Sequence, residues 1–158
     1  MSVRETIEGA FERVDYPGDL NIIHCSCPIC HHVCDYFHGT KWKSHTLESL
    51  RKQQLALSLF TPEAFRYFLP AYMTRTLDAW QDTCLIPFLI TKQFLPPRSD
   101  ENPQRQEHHA KLVGGFSAAQ RAAIVAYLRE YVASGTALVL ADVQRAIALL
   151  QELDSAKQ

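Results

Sequence analysis

Four of the chain's five cysteines, Cys25, Cys27, Cys30 and Cys34, fall within ten residues, with His24, His31 and His32 beside or among them. Thiolates and imidazoles are the ligands that zinc prefers, and Cys27-Pro-Ile-Cys30 is a Cys-x-x-Cys pair of the kind that closes half of a tetrahedral site. If a helix starts at Pro28, Cys30 and Cys34 are neighbours one turn apart and can share an ion. Cys25 is then the natural fourth ligand, with His24, His31 or His38 as substitutes. The expectation is a structural zinc held by Cys25, Cys27, Cys30 and Cys34. A second chemistry uses the same residues. Cys-Pro-x-Cys at a helix start lowers a thiol pKa through the helix dipole, which suits thiol-redox or metal-dependent catalysis by Cys27 and Cys30. That reading needs a sheet like that of thioredoxin, and no alternating apolar pattern follows Ile23.

The elements that must position these residues read as helices. Pro28 to about His38, closed by Gly39, gathers Ile29, Val33, Tyr36 and Phe37 on one face, with Cys30 and Cys34 along its edge and His32 turned to solvent. Upstream, Ser2 and Glu5 form a capping box ahead of Val3, Ile7, Ala10, Phe11 and Val14. Downstream, Trp42 and the stretch Thr46 to Leu59 offer Leu47, Leu50, Leu55 and Leu59 to a core. Thr61 and Pro62 then open the most strongly patterned segment, Phe65, Phe68, Leu69, Tyr72, Met73, Thr76, Leu77 and Trp80, where Pro70 predicts a kink or two abutting helices. Asp82 can cap a short helix bearing Leu85, Ile86, Leu89 and Ile90. Residues 96–111 are polar and aperiodic, which predicts an exposed loop in which His108 and His109 are solvated. A second capping box, Ser117 with Gln120, precedes Ile124, Tyr127, Leu128, Tyr131 and Val132, and a last helix carries Val139, Val143, Ala146, Ile147 and Leu150. The expected fold is all-α, one domain over residues 1–158, an irregular bundle of six to eight helices.

Sixteen basic side chains stand against seventeen acidic ones, so the chain has neither the basic stripe of a nucleic-acid binder nor the strong acidity of a nucleic-acid mimic. The N-terminus lacks the apolar run of a signal peptide, and no segment approaches the roughly 18 to 20 apolar residues that cross a bilayer. A cytoplasmic protein without membrane contact is expected. In a reducing compartment clustered cysteines favour metal or thiol chemistry over a disulfide framework, and Cys84, remote from the rest, reads as a small buried hydrophobe. Gly-x-Ser-x-Gly, phosphate-loop and His-Glu-x-x-His patterns are absent, and the zinc-deaminase arrangement lacks its glutamate, so no enzyme is expected.

Cys27-x-x-Cys30, Phe37-x-Gly39-x-x-Trp42, Leu59-Phe-Thr-Pro-Glu-Ala-Phe-Arg-Tyr-Phe-Leu-Pro-Ala-Tyr-Met73 and Phe116-Ser-x-x-Gln120 together resemble a family of small bacterial helical proteins without assigned activity. The resemblance covers most of the chain and is most specific from Thr61 to Met73; Cys25 and Cys34 are not part of its pattern. Some members resemble immunity proteins encoded beside polymorphic toxins. What the resemblance implies is a non-enzymatic cytoplasmic protein that binds and blocks a cognate toxin; the cysteine cluster leaves a zinc-stabilised regulatory interaction module as the alternative. The exposed segments that would meet a partner are the Pro96 to Lys111 stretch and the histidine-rich edge near His31 and His38.

Overall fold

Both capping boxes open helices in the computed structural model, which describes residues 1–157: Ser2 with Glu5 at the start of α1 (Val3–Phe11), and Ser117 with Gln120 at the start of α7 (Ala118–Ala133). Between and after them run α2 (Pro28–Phe37), α3 (Leu47–Lys52), α4 (Pro62–Thr76), α5 (Ile86–Gln93), α6 (Pro103–Gly114) and α8 (Leu140–Ser155). Two short 3-10 turns, Trp42–Ser44 and Gln54–Ser58, flank α3. The extended backbone among the described residues is a lone antiparallel bridge between Ile23 and Phe60. The fold is all-α, as expected.

The centre is α4. Thr61 caps it, its hydroxyl accepting the Ala64 N–H at 3.1 Å, and Pro62 occupies the first turn where a missing donor costs nothing. Residues all round its circumference are buried, which marks a helix enclosed by others, and α1, α3, α5, α6 and the Trp42–Ser44 turn pack against it. Its buried hydroxyls are satisfied: Thr74 donates to the Pro70 carbonyl at 2.8 Å, and Thr76 meets the Tyr127 hydroxyl of α7 at 2.7 Å. Pro70 lies inside this single helix and does not divide it. Packing on every side outweighs the one backbone bond that proline removes.

Aromatic side chains link α2 and α4. Phe37, Phe60 and Phe68 are fully buried, with Phe37 4.6 Å from Phe68 and 5.0 Å from Phe60 between ring centroids. A second group joins Phe65, Phe94 and Phe116 at the far end. There Gly115 leaves room for the Arg66 guanidinium, which occupies the place a β-carbon would take.

Burial expectations fail at several positions, Leu85 and Val139 among them, 45% and 41% exposed. Leu55 and Ile29 are 59% and 61% exposed, because the turn Gln54–Ser58 directs Ala56 and Leu57 inward and α2 is rotated from its predicted face. Cys84 is exposed, with a left-handed backbone (φ 51°), and its sulfur receives the Arg51 Nε–H at 3.3 Å.

His45, by contrast, is buried, 4% exposed, with Nδ1 3.0 Å from the Tyr36 hydroxyl and Nε2 3.0 Å from the Thr40 hydroxyl. Burial, then the charge of Arg75, holds its pKa below the ordinary histidine value. The unfolded chain therefore binds this proton more readily, and the stability His45 contributes is complete above about pH 6.5 and declines as the pH falls below it. Urea midpoints measured at about pH 7.5 and 5.5 should fall on acidification, and the drop should be smaller in His45→Gln. An equal drop in both proteins would remove His45 as a source of the pH dependence.

Candidate functional site

Backbone pairing with the start of α4 delivers the cysteines to one place. The Thr61 N–H donates to the Ile22 carbonyl at 3.0 Å and its hydroxyl to the Asn21 carbonyl at 2.8 Å, with Ile22 fully buried beneath. Cys25 follows two residues beyond the bridge. Cys27 is the N-cap of α2, its sulfur 3.4 Å from the Cys30 N–H, and Pro28 starts the helix as its sequence position predicts. The buried face of α2 is Cys30, Val33 and Phe37, spaced three and four residues apart, so Cys30 lies at its centre and not at its edge.

The sulfurs of Cys25, Cys27 and Cys30 lie within 4.8 Å of one another. Cys27 Sγ is 3.0 Å from that of Cys30 and 3.6 Å from that of Cys25, and Cys25 and Cys30 are within disulfide bonding distance. This cluster could hold a metal in its reduced form. The bonded form excludes metal from the same two sulfurs, because a ligand must be a thiolate.

Cys34 is not in the cluster, a correction to the four-cysteine ligand set. One turn beyond Cys30, its thiol faces the Asp19 carbonyl at 3.9 Å. The substitutes are elsewhere too. His38 Nε2 pairs with Asp19 at 3.0 Å, and His31 and His32 are exposed. Around Asp19 the chain forms a latch on the C-terminal end of α2. The Tyr16 hydroxyl donates to Asp19 at 2.5 Å and accepts the Gly39 N–H at 2.8 Å. That tyrosine hydrogen bond, helped by His38, holds the Asp19 carboxyl below its ordinary range.

His24 packs instead on His108, ring centroids 4.9 Å apart. This contact exists because residues 96–111 are not one loop. The irregular segment ends at Asn102, whose side chain accepts the Gln104 N–H at 2.8 Å, and Pro103 opens α6. Asn-Pro here is the same cap signal as Thr61-Pro62, masked because α6 buries only Leu112 and has no apolar stripe. Pairs one turn apart, Arg105 with Glu101 at 3.4 Å and Lys111 with Glu107 at 3.1 Å, support the segment instead. His108 and His109 are consequently half-buried, not solvated. Burial lowers both pKa values; nearby His24 adds to the effect at His108, and a backbone hydrogen bond with Phe94 opposes it at His109. His109 Nε2 is buried and has no hydrogen-bond partner among the described residues.

These histidines line a cleft of about 850 Å³ between the ends of α5, α6 and α8 and the segment around residues 95–98. Its cations outnumber its acids. Lys92 is paired with Asp142 at 2.7 Å and Arg105 with Glu101, while Arg98 and Arg145 make no ion pair or side-chain hydrogen bond among the described residues. Sequence reasoning did not find this cleft, whose walls come from four separate segments.

A family model described as "Family of unknown function (DUF6714)" matches residues 33–150. The matched span begins after Cys25, Cys27 and Cys30 and includes α4 and most of the cleft. No curated protein and no solved structure matches the chain.

Proposed function

The chain belongs to this family of unknown function, a membership that assigns no activity, and we propose that it is a non-enzymatic binding protein of the immunity type. It blocks a cognate bacterial toxin by occupying it, in a cytoplasmic setting, and a zinc ion on Cys25, Cys27 and Cys30 fastens its N-terminal segment. The observation that carries the metal half is the convergence of three sulfurs within 4.8 Å at a helix N-terminus. A tetrahedral zinc with sulfur ligands at about 2.3 Å separates those ligands by about 3.8 Å. The 3.6 Å between Cys25 and Cys27 fits that spacing; Cys30, 3.0 Å from Cys27 and at bonding distance from Cys25, must be reduced and move well away from Cys25 to reach it. The fourth position is open to water or to a ligand from outside the chain. Zinc there supplies a cross-link and charge neutralisation for the thiolates, which the α2 N-terminus favours.

The binding half is supported by the resemblance of the Thr61 to Met73 motif to proteins encoded beside toxins and by a rigid bundle that offers a preformed surface at low ordering cost. That motif is itself buried. Partner contacts therefore belong to the exposed face of α6, which carries Gln104, Arg105, Gln106 and Glu107, and to the exposed His31, His32 and His38 edge of α2. Co-expression with the product of the adjacent gene is the test. Toxicity of that product alone, relieved by this protein, is expected; a harmless neighbour, or toxicity that persists beside this protein, overturns the reading.

One observation favours a second reading, thiol exchange: the free Cys27 sulfur lies 3.0 Å from the bonded Cys30 sulfur. In that chemistry the Cys27 thiolate attacks Cys30 Sγ, a Cys27–Cys30 bond forms, and the Cys25–Cys30 bond breaks to leave Cys25 as the thiolate.

A further inference from the structure

The cleft between α5, α6 and α8 is a different feature from the cysteine cluster. Its volume, about 850 Å³, lies within the range of small-molecule sites. Its charge is not self-compensated: once Lys92 has Asp142 and Arg105 has Glu101, Arg98 and Arg145 remain without a partner. Two like charges left facing one cavity repel each other unless an anion or solvent comes between them. A guanidinium presents its donors as a planar fork that matches a phosphate with two parallel hydrogen bonds.

The α6 wall adds polar groups of another kind. His108 and His109 lie half-buried on α6, with His24 from the opposite wall against His108. The neutral His24 and His108 rings can each donate one N–H to an oxygen, whereas His109, whose other ring nitrogen bonds the Phe94 backbone, presents Nε2 as an acceptor. The buried, unpartnered Nε2 of His109 is an acceptor that calls for a donor, an ordered water or a ligand hydroxyl, beside these groups.

We propose that this cleft binds a small phosphate-bearing molecule of nucleotide size, gripped by the exposed Arg98 and Arg145 and met by the His24 and His108 imidazoles. A compact ligand is favoured over an acidic surface of another protein because His108 and His109 are more enclosed than the exposed Arg98 and Arg145. The phosphate supplies the recognised chemistry whether it comes from a nucleotide or from a simpler ester. The inference rests on neither the toxin reading nor the metal, although Gln104 and Arg105 of the cleft also belong to the α6 face assigned to the partner.

Titration calorimetry at low ionic strength with the full chain tests it, with inorganic phosphate, pyrophosphate, ADP and a glutamate-rich peptide as probes. At least one phosphate probe should bind with Kd below about 1 mM, and the exposed-site double variant Arg98→Glu/Arg145→Glu should weaken it by about tenfold or more. Arg129→Glu, the same kind of charge reversal on the exposed face of α7, should leave affinity unchanged. Binding of ADP but not inorganic phosphate assigns the site to nucleotides, whereas binding of phosphate and pyrophosphate alone assigns it to simpler esters; both support the proposal. Three results overturn it: no phosphate probe binds, Arg129→Glu weakens binding as much as the double variant does, or the acidic peptide binds more tightly than every phosphate probe. Circular dichroism of each variant confirms that the loss is not one of folding.

Discussion

Phe68→Ala should destabilise the protein by about 3–5 kcal/mol, the usual cost of truncating a fully enclosed phenylalanine. Phe68 has no exposed surface and meets four aromatic residues, Phe37, Phe60, Tyr67 and His45, with ring centroids between 4.6 and 5.9 Å away. Those partners come from α2, from the bridge residue before α4 and from the segment before α3, so the cavity would open where four parts of the chain meet. Collapse to fill it is resisted because the partners are themselves fixed. Phe60 precedes the Thr61 cap, and His45 is held through both ring nitrogens. For a domain of this length the loss corresponds to a fall of roughly 6–20 °C in Tm. Leu55→Ala, at a residue 59% exposed, should change Tm by no more than about 2 °C. Thermal melts of the two variants side by side check the assignment of core and surface; similar shifts would contradict it.

The contrast between those two leucine-and-phenylalanine positions also marks how far the sequence carries. Phe68 was legible because it sits in a long stripe with a strong cap at Thr61, and period and cap together leave little freedom. Leu55 was not, since it falls in a five-residue 3-10 turn where helical spacing of three or four no longer predicts a face. Ile29 misled for a related reason. A short helix with apolar residues on several sides can rotate, and the deep anchors Phe37 and Val33 bring Cys30 inward while Ile29 is left 61% exposed. At α6 the local signal was present, Asn102 before Pro103, but without an apolar stripe it read as loop.

The site divides in the same way. Cys25, Cys27 and Cys30 are close in sequence, and short-range geometry brings them together. Cys34 has the correct helical offset from Cys30, yet Cys27 and Cys25 approach from beyond the helix N-terminus, on the far side of Cys30 from Cys34. Spacing along a helix does not convey that direction. His24, His108, Arg98 and Arg145 belong to segments far apart in the chain, and only tertiary packing brings them to one cleft.

The second large effect concerns the metal. With Cys27→Ser, two sulfurs remain from the cluster of three, and serine is a poor replacement because zinc binds the polarisable thiolate far better than a neutral hydroxyl. The zinc content should fall from about one per chain to near zero. Cys34→Ser should leave it unchanged, since Cys34 contacts the Asp19 carbonyl and lies outside the cluster. The fold should survive the loss. Ile22, Val33 and Phe37 are buried on either side of the cysteines and anchor this segment without them. Chelation is therefore expected to loosen residues around Cys25 to Cys30, seen as faster hydrogen exchange there, while α4 and α7 remain protected.

The measurement that bears most directly on the account is native mass spectrometry of protein purified under reducing conditions without added metal, for the wild type, Cys27→Ser and Cys34→Ser. The account predicts about one zinc per chain in the wild type and in Cys34→Ser, and none in Cys27→Ser. A wild-type chain that is fully reduced and free of metal, or one whose zinc is retained by Cys27→Ser, would contradict it.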